Sequence, residues 1–419
     1  MSNDLNVYLR GDKVGRLSLD ARRHFVFIYD QEWLTNTAAV PLSLHLPLHA
    51  EPFADEQARP FFANLLPESD LRRALARKLG LSEQNDFALL EAVGGECAGA
   101  VSLLPDNMPL PDTGSYRILN EDDLNALVDE LPTRPMLAGE QGIRLSLAGA
   151  QNKLPVHFDG QHISVPLDNA PSSHILKPPI VQYPHSVENE YFCMRLAERV
   201  GLSVPRVTLL RKRKNLYLIE RYDRDSKADG SIERIHQEDF CQALGILPDQ
   251  KYEKEGGPGI KQCFMLLRDH SVFPVSDMRA LLDWVVFNYL IGNADAHAKN
   301  ISLLLMQDGP RLAPCYDLMC TAAYPDLTDK LAMKIGGEDR PSWIIARRWQ
   351  AFAEDIGVAY KLVRQRLLFM KESIHESAQA LRDEFIVEHG SCIVIDNILG
   401  VINQRYDKIT AALVAENEA

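Results

Sequence analysis

The segment NADAHAKN, Asn293 to Asn300, gathers an aspartate, a histidine, a lysine and an asparagine directly behind a strongly apolar run. Asp295 and Asn300 stand five residues apart, and Asp317 follows after two short strand-like stretches, ISLLLM and RLAPCYD. Protein kinases carry a catalytic-loop aspartate, an asparagine and a metal-binding aspartate in this order. The residue types suit that chemistry. Phosphoryl transfer needs a carboxylate to orient the attacking hydroxyl and take its proton, and oxygen ligands to hold Mg²⁺ against the phosphates of ATP. Spacing alone leaves a plainer alternative open, in which the Asp-x₄-Asn pattern is accidental and Asp317 caps a turn.

Further parts stand upstream. HILKPP puts Lys177 at the end of an apolar strand, and the following helix, SVENEYFCMRLAERVGL, carries Glu188 and Glu190. On a helical projection Glu190 shares its face with Val187, Cys193, Met194 and Ala197, whereas Glu188 falls among Phe192, Arg195 and Arg199. Glu190 is therefore expected to point inward, where a carboxylate needs a partner, and Lys177 is the natural one. A lysine snorkelling from a strand end is the plainer reading. LYLIERYDRD would supply a hinge, with Glu220 to Tyr222 offering backbone groups to adenine. No glycine-rich nucleotide fingerprint is present; RLSLAGAQNKLPV instead places Ser146, Gly149, Ala150 and Gln151 in a small-residue turn between strands, able to turn backbone N–H groups toward a phosphate.

These residues need elements to hold them. Residues 5 to 30 alternate apolar and polar, with Gly11-Asp12 as a turn, and favour a small β-meander. PESDLRRALARKLGL is helical, and FALLEAVGGECAGAVSLL joins a helix to a strand. A proline-rich connector, Leu104 to Gly114, marks a boundary between a first subdomain, 1–108, and a sheet with one helix, 115–235, that helix opened by Ser186 and closed by Gly201. Helices dominate 236–419, and one of them, Ser276 to Gly292, is apolar on nearly every face from Leu281 onward and delivers NADAHAKN to a fixed place.

Composition narrows the function classes. The chain has 419 residues, 46% of them hydrophobic, and 45 basic against 58 acidic side chains give a net charge of −13. General attraction to nucleic acid or to anionic membrane is not expected from such a balance. Seven scattered cysteines without a CxxC pair, and a start, MSNDLN, unlike a signal peptide, suggest a cytoplasmic protein with reduced thiols. No apolar run approaches the 18 or so residues of a membrane helix. RKRK, Arg211 to Lys214, reads as a solvated hairpin tip.

In order along the chain, LSLAGAQNK, HILKPP, NEYFCMRLA, IERYDRD, HQEDFCQALG, KYEKEGGPG, IGNADAHAKN and RLAPCYDLM resemble the motifs of the HipA kinases, the toxin halves of bacterial toxin–antitoxin pairs. FFANLLPES and GGECAGAVSL resemble that family's N-terminal subdomain. The likeness covers nearly the whole chain. It implies an α+β, two-lobed protein-kinase-like fold with a β-rich N-terminal subdomain and a largely helical C-terminal lobe. Asp295 is then the catalytic base, Asn300 and Asp317 the Mg²⁺ ligands, Lys177 the ATP lysine, and Glu220 with Tyr222 the hinge. Ser146 matches the serine that the family phosphorylates on itself, which ejects the phosphate-binding loop. His297 stands two residues past the base, where contact with the γ-phosphate and a structural hydrogen bond both remain open. The implied partners are a HipB-type helix-turn-helix antitoxin, operator DNA bound through the complex with that antitoxin, and a protein substrate, which in the family includes aminoacyl-tRNA synthetases.

Two rivals come from other classes. Asp295, His297 and Asp317 could ligate a transition metal in a hydrolase, which leaves Lys177 and Glu190 without a role. A catalytically silent kinase fold serving as corepressor is the other, and the full set of polar residues argues against it.

Overall fold

Alternating apolar side chains build the first sheet. In the computed structural model, which describes residues 4–111 and 114–417, β1 (Asp4–Leu9), β2 (Asp12–Leu19) and β3 (Phe25–Tyr29) form an antiparallel meander. Leu5, Val7 and Leu9 of β1 and Phe25, Phe27 and Tyr29 of β3 enter one core, as the two-residue period of a strand requires. Both Arg10 and Gly11 have positive φ, so the turn lies one residue before the expected Gly11-Asp12. Positive φ at both central residues matches the turn to the twist of the strands it joins. After α1 (Gln31–Thr35), α2 (Asp55–Ala63), α3 (Ser69–Leu79) and α4 (Asp86–Val93), β4 (Val101–Pro105) returns beside β1, giving the order β3-β2-β1-β4.

Next come β5 (Ser115–Ile118), α5 (Glu121–Glu130), β6 (Leu154–Phe158), β7 (Ile163–Leu167), β8 (His174–Lys177) and α6 (Ser186–Arg199). They are followed by β9 (Val207–Leu210), β10 (Leu216–Glu220), β11 (Arg224–Ser226), β12 (Ile232–Arg234), β13 (Gln237–Asp239) and α7 (Phe240–Ala243). The last third holds α8 (Ile260–His270), α9 (Pro274–Ile291), β14 (Ser302–Met306), β15 (Gly309–Leu312), α10 (Ala346–Ile356), α11 (Tyr360–His389) and α12 (Ile393–Asn417). α5 has no counterpart in the sequence reading, although Asn120 caps it by accepting the Asp123 N–H. The pairing of β13 with β14, Gln237 opposite Leu304, is likewise new. Its strands are short and far apart in sequence.

Two compact units result. The first comprises Met1–Pro178, Leu218–Asp249 and Ser302–Pro310, and the second Pro179–Tyr217, Gln250–Ile301 and Arg311–Ala419. Strands β5-β7-β6-β8-β10 lie side by side in that order. In the second unit α9 is the centre: α8, α11 and α12 all pack on it, and every residue from Val285 to Ile291 is buried. No helix among the described residues is long and apolar enough to cross a membrane.

Candidate functional site

The C-terminal end of α9 fixes the start of NADAHAKN. Gly292 takes φ 73°, closing the helix in the left-handed conformation, and a Cβ there would fall 2.6 Å from Val401 Cγ1 and 2.9 Å from Ala322 Cβ. Only glycine satisfies both demands. Asn293 then donates to Asn288 Oδ1 at 2.7 Å and accepts the Asp295 N–H at 3.1 Å, while the Ala294 N–H donates to Thr321 Oγ1 at 2.7 Å. Asn300 donates its Nδ2 to the Asp295 carbonyl at 3.1 Å, which orients the amide and leaves Oδ1 as the end able to ligate. The backbone is thus held by buried amides, whereas the Asp295 side chain is 54% exposed. Tyr252 donates its phenol to Asp295 Oδ1 at 2.6 Å, and His297 Nε2 lies 3.9 Å from the same oxygen.

Asp317 has φ 57°, a region that aspartate tolerates better than most residues but seldom occupies without cause. Tyr316 beside it donates to the Lys299 carbonyl at 2.8 Å, bonding this segment to the NADAHAKN loop. Burial first, and then the nearby charges of Glu190 and Asp317, push the Tyr217 phenol well above its ordinary range. Those two carboxylates therefore approach one buried ring. Ser186 is the first residue of α6 rather than its cap, and its hydroxyl accepts the Ile180 N–H at 2.8 Å. Glu190 is buried as expected. Glu188 is buried too, held by Asn215 Nδ2 at 2.6 Å, because α6 is covered on nearly every side.

The remaining expected residues belong to the first unit. Lys177 ends β8 and is buried. The segment around Ser146 is not a turn between adjacent strands: Leu145 and Gly149 make isolated parallel bridges to Glu96 and Pro67, and the strand begins only at Leu154. Ser146 is fully buried, donating its hydroxyl to the Leu65 carbonyl at 2.7 Å and its N–H to the Glu96 carbonyl at 2.8 Å. Ala150 is exposed and Gln151 half-buried. Glu220 is exposed at the end of β10, and the Tyr222 hydroxyl donates to Gln237 Oε1 at 2.8 Å.

Between Glu220 and Tyr222 lies a group that the sequence reading missed. Arg221 contacts Asp223 at 2.7 Å and Glu96 at 3.4 Å, and Arg224 contacts Glu96 at 3.0 Å. Ser172 gives Glu96 Oε1 both its N–H and its hydroxyl at 2.9 Å, and Gly99 N–H donates to Asp223. Burial alone would push the Glu96 carboxyl up, but Arg224, Arg221, Arg234 and the Ser172 N–H hold it below the usual range. The IERYDRD and GGECAGA motifs both enter this network, and they meet across more than a hundred residues of sequence. Spacing within either motif could not reveal it. Tyr252, in KYEKEGGPG, is the second missed residue.

A family model described as the HipA-like C-terminal domain matches residues 145–383, and one described as the HipA N-terminal domain matches residues 5–104. The chain belongs to the HipA family. Serine/threonine-protein kinase toxin HipA of Shewanella oneidensis is 34% identical over 377 residues, 87% of this chain and 86% of that protein. Y4mE of Sinorhizobium fredii is 46% identical over 387 residues, 90% of this chain and 92% of Y4mE. Among solved structures, a chain of the Shewanella oneidensis complex of HipA, HipB and operator DNA superposes with a TM-score of 0.86 at 29% identity, covering 99% of both chains. This HipA-family chain accordingly has the HipA fold, β-rich at its N-terminal side and helical toward its C-terminus.

Proposed function

We propose that this chain is an ATP- and Mg²⁺-dependent serine/threonine protein kinase, the toxin of a HipBA-type module. The observation that carries the reading is the half-exposed Asp295 carboxylate on a backbone locked by buried amides, with Asn300 tied to its carbonyl and Asp317 bonded in through its neighbour Tyr316. A general base must be rigidly placed yet accessible.

The donor set fits Mg²⁺. Asn300 Oδ1 and the Asp317 carboxylate are the hard oxygen ligands this ion takes, with room for water and phosphate oxygens to complete its shell. When bound, the ion would neutralise charge on the phosphates. Asp295 accepts the proton of the attacking hydroxyl as that oxygen bonds the γ-phosphorus and the bond to ADP breaks. Lys177 neutralises the α- and β-phosphates, the backbone from Glu220 to Tyr222 receives adenine, and Gly149, Ala150 and Gln151 present N–H groups to phosphate. His297 is positioned to steady the base. A hydrolase centre finds less support: among the described residues no three His, Cys, Asp or Glu side chains cluster as metal ligands.

Self-inactivation at Ser146 belongs to the same reading. A phosphate adds a charge of about −1.5 to −2, and this hydroxyl is fully buried against a carbonyl oxygen. The modified serine cannot keep that place, so the loop leaves. A HipB-type antitoxin and, through it, operator DNA are the proposed partners, by analogy with the Shewanella complex; an acidic chain suits a division in which the antitoxin meets DNA. An aminoacyl-tRNA synthetase is the proposed class of target. Intact mass after incubation of dephosphorylated protein with Mg-ATP tests the proposal: one added phosphate, absent in Ser146→Ala, is expected, and an unchanged wild-type mass overturns it.

A further inference from the structure

Resting on the kinase reading, we infer that Tyr252 is a positioning residue for the base: its phenol holds Asp295 Oδ1, so that the hydroxyl to be phosphorylated meets Oδ2. Asp295 sits at an exposed point of its loop, and its backbone restraints do not fix the carboxylate itself. The Tyr252 hydroxyl, at 2.6 Å, does.

The contact is built into the fold. The Ala332 N–H donates to the Ala294 carbonyl at 3.0 Å, and the Glu253 N–H donates to the Ala332 carbonyl at 3.3 Å. Residues 252–253 are thereby bonded through one strip of backbone to the residue preceding the base. Glu253 Oε2 also accepts the Lys334 N–H at 2.7 Å. The glycines of KYEKEGGPG close the loop that presents the ring: a Cβ on Gly257 would lie 2.0 Å from the Gln250 carbonyl oxygen, and the Gly257 N–H donates back to the Tyr252 carbonyl at 3.0 Å. The ring meets His297 edge-on, with centroids 5.2 Å apart. The half-buried phenol and the buried imidazole thus flank the exposed carboxylate.

During transfer, Asp295 Oδ2 takes the proton of the serine or threonine hydroxyl, whose oxygen bonds the γ-phosphorus as the bond to ADP breaks. Tyr252 keeps its own proton and restrains the carboxylate. A misplaced catalytic group can cost about 10²-fold even when every reactant is bound.

Tyr252→Phe keeps the ring against His297 and removes only the hydroxyl. Initial rates of phosphate incorporation into dephosphorylated protein, measured across Mg-ATP concentrations, should fall about tenfold at saturation with the KM for ATP within about twofold of wild type, a split expected when an interaction acts on transfer rather than on nucleotide binding. An unchanged saturating rate overturns the inference, as does a fall accompanied by a raised KM or a lowered melting temperature, which would mark a structural role. The wild-type arm separates the two levels: if wild-type protein transfers nothing, the kinase reading itself fails and this inference with it.

Discussion

The buried charges around Glu96 and the half-exposed polar loop around Asp295 solve opposite problems. Glu96, Asp223, Arg221 and Arg224 are all nearly sealed from solvent, and each charge meets an opposite charge or a backbone group. Glu96 also pairs through its backbone with Arg144 and Ser146, so one residue joins the buried arginines to the serine-bearing segment. At Asp295 the polar groups satisfy one another through the backbone and leave the carboxylate outside. A charge sealed among partners maintains shape; a charge held at its base and open at its tip is ready for chemistry.

That contrast is open to direct attack. Asp317→Asn should keep the left-handed backbone, which asparagine accepts readily, while removing the negative charge of the proposed metal ligand. Phosphate transfer should fall by at least ~10²-fold with little change in melting temperature. A variant that unfolds would place Asp317 with the structural charges instead. Glu96→Ala should do the reverse. Removing one of the two carboxylates that balance the buried arginines costs about 3–5 kcal/mol, measurable by denaturant unfolding, and a loss below about 1 kcal/mol would show that Asp223, which still contacts both arginines, compensates.

A smaller effect concerns Glu238, whose carboxyl lies 2.5 Å from the Ser43 hydroxyl and accepts the Leu44 N–H at 2.9 Å. Burial pushes it up to about 8, assisted by Asp239 and opposed by those two donors. The folded state then holds a proton that the unfolded chain releases near its ordinary value. Stability from this group is therefore fully present below that ordinary value and is lost as pH rises through about 8. His236, lowered to about 4 by burial, acts in the opposite sense and only at acid pH. Between roughly pH 6 and pH 8, Glu238→Gln should flatten the decline of unfolding free energy with pH. A slope equal to that of wild type would contradict the assignment.

Local patterns made much of the molecule legible. Alternation gave the meander, the apolar run gave α9, and the order Asp295, Asn300, Asp317 singled out the loop now seen behind a glycine cap. What escaped was set by distance along the chain. The β13–β14 pairing joins residues some sixty positions apart, and the Glu96 network joins segments separated by more than a hundred. Glu188 escaped for another reason: a helical projection assumes an open side, and α6 has almost none. Tyr252 stood in a recognised motif, but only the strip through Ala332 brings its phenol to the base.

The central claim is that Asp295 is the base of a phosphotransferase. Its most direct test follows labelled γ-phosphate from ATP onto the protein in wild type and Asp295→Asn, with Mg-ATP affinity measured on the same samples. The account predicts equal affinity and a transfer rate lowered by about 10²–10⁴ in the variant. Transfer by Asp295→Asn at the wild-type rate would contradict it.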